Sequence, residues 1–89
     1  MVYDLWQILR VLVDGGWFTV SASADGKRVA RLWQFVDGWE YEHLCIPERT
    51  FANYRDCGII EFWRSGVDRD GRPADCYFLT GRGGGPLSK

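Results

Sequence analysis

The sequence predicts an α+β domain of two helices and two β-hairpins, and three observations carry that prediction. Apolar residues recur at helical spacing near the N-terminus, between a capping residue and a double glycine. Asp-Gly pairs then separate runs rich in β-branched and aromatic residues. Finally, a proline-to-glycine segment leads straight into a β-rich run, a charged loop and a second β-rich run.

The first helix is predicted near residues 4 to 14. In "DLWQILRVLVDGG", Leu5, Ile8, Leu9 and Leu12 fall at i, i+3, i+4 and i+7, Asp4 caps the start with Gln7 three residues on, and Gly15 stops the helix. In "WFTVSASADGKRVARLWQF", the turn at Asp25 and Gly26 lies between two β-rich runs and suggests a hairpin. Val29, Leu32, Trp33 and Val36 also share a helical face, so residues 27 to 36 fit either strand or helix, and the position of the turn favours the strand. After Asp37-Gly38, "WEYEHLC" alternates large and polar residues as a short third strand, with Trp39, Tyr41 and His43 on one face.

A second helix is predicted near 47 to 57. Pro47 suits its first position, Glu48 its positive end, and Gly58 the residue past its last turn. Phe51 and Tyr54 then face inward, leaving Arg49, Asn53 and Asp56 as an outward stripe. "IIEFWRS" and "ADCYFLT" flank the Gly-, Asp- and Pro-rich "GVDRDGRP", which predicts a hairpin over residues 59 to 80 with a long charged tip at 66 to 73. The expected core includes Leu9, Leu12, Phe51, Ile59, Ile60, Tyr77 and Leu79. An outward helix beside a charged hairpin is the layout of a winged helix. The expected fold is therefore a small winged-helix-like α+β domain with an additional β-hairpin after the first helix, spanning residues 1 to 83, with a flexible C-terminal tail at 84 to 89.

Composition narrows the function. With 89 residues, 46% hydrophobic and five Trp, the chain has room for one core and enough apolar mass to fill it. A net charge of −1 supplies no global field for nucleic acid or an anionic membrane, so any such binding must be local. The basic excess lies late, with Arg64, Arg69, Arg72, Arg82 and Lys89 set against Asp68, Asp70 and Asp75. No apolar window approaches membrane-spanning length, and Asp4 stands where a signal peptide carries Lys or Arg, which predicts a soluble cytoplasmic protein.

Chemistry-bearing motifs are sparse. The chain has a single His, no nucleophile with a base at recognisable spacing and no paired carboxylates, so a non-enzymatic role with no cofactor is expected. Three cysteines without C-x-x-C spacing predict free thiols and no metal, against the alternative of a zinc site from His43, Cys45, Cys57 and Cys76. "GRGGGP" shares only its glycines with a phosphate loop, because no Lys-Ser/Thr and no helix follows.

The run "YRDCGIIEFWRSGVDRDGRPADCYFLTGRG" resembles the last third of bacterial winged-helix domains, closing with Tyr77, Leu79, Thr80 and Gly83. More widely, "ILRVLVDGG", "ADGKRV", Cys45 and "GRPADCYFLTGRG" follow in order the pattern of the YjhX-type topoisomerase I inhibitor toxin family. The Gly-rich ending "GGPLSK" and the many Trp residues depart from that pattern. The resemblance implies a winged-helix-like shape, no catalytic apparatus and a role performed by contact. The expected function is thus a small inhibitor or regulator that docks on a protein, one that handles nucleic acid, with a winged-helix DNA-binding transcription regulator as the alternative. Arg49 and Asn53 are the candidate base or partner readers, and Arg64, Arg69 and Arg72 the candidate wing contacts. Trp6, Trp17, Trp33, Trp39 and Trp63 supply the aromatic content of an interface, with most of them expected in the core.

Overall fold

The computed structural model describes residues 4–68 and 70–80. Helix α1 (Leu5–Val13) begins as its sequence predicts. Asp4 accepts the Gln7 N–H and Gln7 accepts the Asp4 N–H, each at 2.9 Å, which satisfies two donors that the first turn leaves open. The helix buries Ile8, Val11 and Leu12, while Leu9 is half-buried and Leu5 exposed, so its inward stripe is rotated from the one expected. The rotation follows from the exit. Gly16 N–H returns to the Val11 carbonyl at 2.8 Å, and the chain enters β1 pressed against Val11.

Strands β1 (Trp17–Ala22), β2 (Arg28–Val36) and β3 (Trp39–Pro47) form a meander, α2 (Glu48–Asp56) follows, and β4 (Ile60–Val67) and β5 (Pro73–Leu79) close the chain. The turns follow their sequences. Asp37 and Gly38 both take positive φ, +54° and +84°, in the two-residue turn between β2 and β3, the backbone that matches the twist of a hairpin. The turns Ser23–Lys27 and Asp68–Arg72 share another design. The first residue pairs its N–H with the carbonyl of the fifth at 2.7 and 2.8 Å, and a left-handed glycine stands fourth. An aspartate carboxylate in each accepts backbone N–H groups, Asp25 from Lys27 and Asp68 from Asp70 and Arg72.

The winged-helix expectation is overturned by the sheet. All five strands belong to one antiparallel sheet ordered β3-β2-β1-β5-β4. The C-terminal hairpin is no appended wing, because β5 pairs with β1 through Phe18–Tyr77, Thr19–Cys76, Val20–Asp75 and Ser21–Ala74. A winged helix is built round a helical core, whereas here two helices cover a sheet. The physical reason lies in β1, where Phe18, Thr19, Val20 and Ser21 are all buried. A strand apolar or small on both faces is buried best with neighbours on both edges, and it becomes the centre of the sheet. Residues 28–36 are strand, not helix.

Both helices feed one core on one face of the sheet, with Ile8, Val11 and Leu12 of α1 and Phe51 of α2 joining Phe18, Val20, Ala30, Leu32 and Ile60. Phe51 is fully enclosed, edge-on to Phe18 at 5.2 Å and to Tyr77 at 4.9 Å. Enclosing a ring of this size stabilises by about 1.5–3 kcal/mol relative to exposure. Of the residues expected in the core, Leu12, Phe51 and Ile60 are buried; Ile59, Tyr77 and Leu79 are half-buried against that core. Among the described residues no helix is long and apolar enough to cross a membrane. The tail expected at 84–89, with the "GRGGGP" run, lies outside the described residues.

Candidate functional site

Because β-strand side chains alternate, the face opposite the helices follows from the register. It carries Trp17 and Thr19 of β1, Trp33 and Phe35 of β2, Cys76 and Phe78 of β5, and Trp63 and Arg64 of β4. A bulge between Phe62 and Arg64 sets Trp63 and Arg64 side by side on this face. Four aromatic rings then run across four strands. Phe35 lies 5.1 Å from Trp17, Trp17 6.4 Å from Phe78, and Phe78 4.8 Å from Trp63 by ring centroids.

These rings border a trough of about 370 Å³. Trp33 forms part of its floor, held in place by the buried hydrogen bond that its Nε1–H donates to Thr19 Oγ1 at 2.8 Å. Cys76 lies beside it. Burial pushes its thiol pKa up, Arg64 lowers it, and the charges of Asp75 and Glu40 raise it again, so the group stays a neutral wall. Arg64 lies over the Trp63 ring with Cζ 4.3 Å from the centroid, a cation–π contact at the rim. Glu40 stands on one side, and Asp68 closes the end from the β4–β5 turn. Partial burial works against the Asp68 carboxylate. The N–H groups of Arg72 and Asp70 and the Arg72 charge outweigh it and hold the pKa below the ordinary value.

The structure separates the residues named from sequence. Arg49 and Asn53 are exposed on α2, as expected, but α2 covers the other face of the sheet. Arg64 belongs to the trough. Arg72 is exposed in the turn, and its Nη1 donates to the Ala22 carbonyl at 3.4 Å, while Arg69 lies outside the described residues. Arg64 therefore stands on the face opposite the helix that carries Arg49 and Asn53. Of the alternative zinc ligands, His43 Nε2 meets Gln34 Oε1 at 2.8 Å, Cys57 ends α2, and Cys45 and Cys76 stand three strand spacings apart, about 14 Å. Among the described residues no group of His, Cys, Asp or Glu converges as a metal site. The aromatic face itself was missed as a unit, since its members come from positions 17, 33, 35, 63 and 78.

No protein-family model, no curated protein and no solved structure matches the chain.

Proposed function

We propose that this is a non-catalytic contact module, an inhibitor or regulator that docks on a partner protein through the open aromatic face of its sheet. One observation carries the reading. The face of an antiparallel sheet that no helix covers is ordinarily polar, whereas this one carries four rings in a row around a trough, with Phe35 exposed, Trp17 and Trp63 half-exposed and Phe78 buried between them. Phe35 is 62% exposed and Val67 72%, at a cost in solvation that a partner would relieve. Rigid aromatics beside an arginine are what hot spots of protein interfaces are made of. The reading keeps the contact role implied by the resemblance to the topoisomerase inhibitor family. It moves the contact from helix and wing to the sheet.

The test is capture of a partner from nuclease-treated host extract by the immobilised protein. Phe35→Asp should abolish capture without unfolding the domain, because Phe35 is already largely in water, whereas Trp6→Ser on α1 should leave capture intact. Capture indifferent to Phe35 would refute the reading.

A further inference from the structure

The sheet ends in β3 on one side and β4 on the other, each with a neighbouring strand on one side only. Such an edge presents a row of N–H and C=O groups to any strand that can lie beside it. The two edges differ in what they offer a second copy of the chain. β3 carries Glu40 and Glu42 on the open face, opposite Phe35 and Trp33, has no Lys or Arg, and ends at Pro47, which lacks an N–H. An antiparallel copy of β3 would set carboxylates against carboxylates. β4 is built differently. Glu61 stands opposite Phe78 and Arg64 opposite Cys76, so both point to the open face. Among the described residues neither makes an ion pair, and Arg64 rests over Trp63 instead. On the helix side Phe62 is 54% exposed, with only Tyr77 beside its ring.

We infer that β4 is a dimerisation edge, at which a second copy of this chain adds its own β4 antiparallel and continues the sheet through a dyad. An antiparallel neighbour reverses the order of the charges, so each Glu61 comes toward the partner's Arg64, and the contact is made twice. The bulge obeys the same dyad. Trp63 is the extra residue of β4, and two such bulges set against each other bend both edges alike and keep the ladder. Trp63 then lies against the partner's Arg64, Phe62 beside the partner's Ser65, and Glu61 reaches the partner's Arg64 along the diagonal. The dyad stands perpendicular to the sheet, so the two troughs open on the same side. This pairing is independent of what the trough receives. One pair of eight-residue edges covers less than the roughly 1,200 Å² of a stable interface, so the dimer forms and dissociates with concentration.

Sedimentation equilibrium of the whole chain, from micromolar to millimolar concentration, tests the inference. The unaltered chain is expected to pass from monomer to dimer and to stop there. Glu61→Arg and Arg64→Glu each place like charges in both symmetric contacts and should weaken the dimer about tenfold. Mixing the two variants should restore it, because one supplies only cations and the other only carboxylates. A chain carrying both changes should dimerise as the unaltered chain does. Recovery in the mixture and in the doubly changed chain shows that neither substitution unfolds the domain. Amide exchange gives a second readout, in which the outward amides of β4 slow as concentration rises while those of β3 stay fast. A monomer throughout the range, growth past the dimer as β3 of one copy joins β4 of the next, or a dimer indifferent to the charge changes would each overturn the inference.

Discussion

A Cβ at Gly16 would lie 2.5 Å from Val11 Cγ1 and 2.7 Å from the carbonyl oxygens of Val11 and Trp33. Two of these atoms are backbone, which cannot rotate aside, so Gly16→Ala must part α1 from the sheet. A loss of about 1–3 kcal/mol is expected, read as a lower urea midpoint. The inward stripe of α1 makes a second comparison. Leu12 has no exposed surface and Leu9 is half-buried, so Leu12→Ala should cost about 2–5 kcal/mol and Leu9→Ala clearly less. Equal losses would mean that the stripe runs through Leu9, as its sequence spacing alone predicts. His43 sets the pH response near neutrality. Partial burial lowers its pKa from 6.5, so the folded chain holds that proton less tightly than the unfolded one. Its contribution is complete above that value and declines as pH falls through it. Asp25, held low by the Ser23 hydroxyl and the Lys27 N–H, and Asp68, held low despite partial burial, contribute above 3.8 and lose that contribution on further acidification. Both effects weaken the fold in acid. His43→Gln should flatten the loss between about pH 7 and 5 and leave the steeper fall below about pH 4 in place, as thermal melts across pH would record.

The elements were legible in unequal degree, and the difference has physical causes. Helix α1 announces itself through Asp4 and Gln7, whose reciprocal bonds form as the spacing requires, and α2 through Pro47 and Gly58. Three of the four Asp-Gly pairs, Asp25-Gly26, Asp37-Gly38 and Asp70-Gly71, locate the hairpin turns, because only a few residues accept the left-handed backbone that each turn needs. Strand β2 stayed open between helix and strand. Ala30, Leu32 and Trp33 are buried from both faces of the sheet, which erases the alternation that marks a half-exposed strand. The pairing of β1 with β5 was not legible at all, since nothing local joins Phe18 to Tyr77 across the chain. That pairing alone converts a helix-and-wing layout into a five-stranded sheet and gathers Trp17, Phe78 and Trp63 on one face. It predicts where the backbone opens last. Amides of β1 that pair within the sheet should exchange with solvent most slowly, while the outward amides of the edge strands β3 and β4 exchange fast in the monomer. Fast exchange throughout β1 would be incompatible with its central position.

At the scale of the molecule, the chain divides its labour between the two faces of one sheet. The helix-covered face supplies stability through Phe18, Leu32 and Phe51, and the open face spends part of it by leaving the Phe35 ring in water. Removing the exposed Phe35 ring should therefore affect binding far more than folding. A contact through α2 would show the reverse geometry, because Arg49 and Asn53 lie on the helix layer, away from the trough. Photo-crosslinking separates the two most directly. A benzoyl-phenylalanine placed at position 35 should crosslink to a partner protein in the cells that make this chain, while the same group at position 53, on the outward face of α2, should not. Crosslinks from position 53 with none from position 35 would contradict the assignment of the aromatic sheet face as the contact surface.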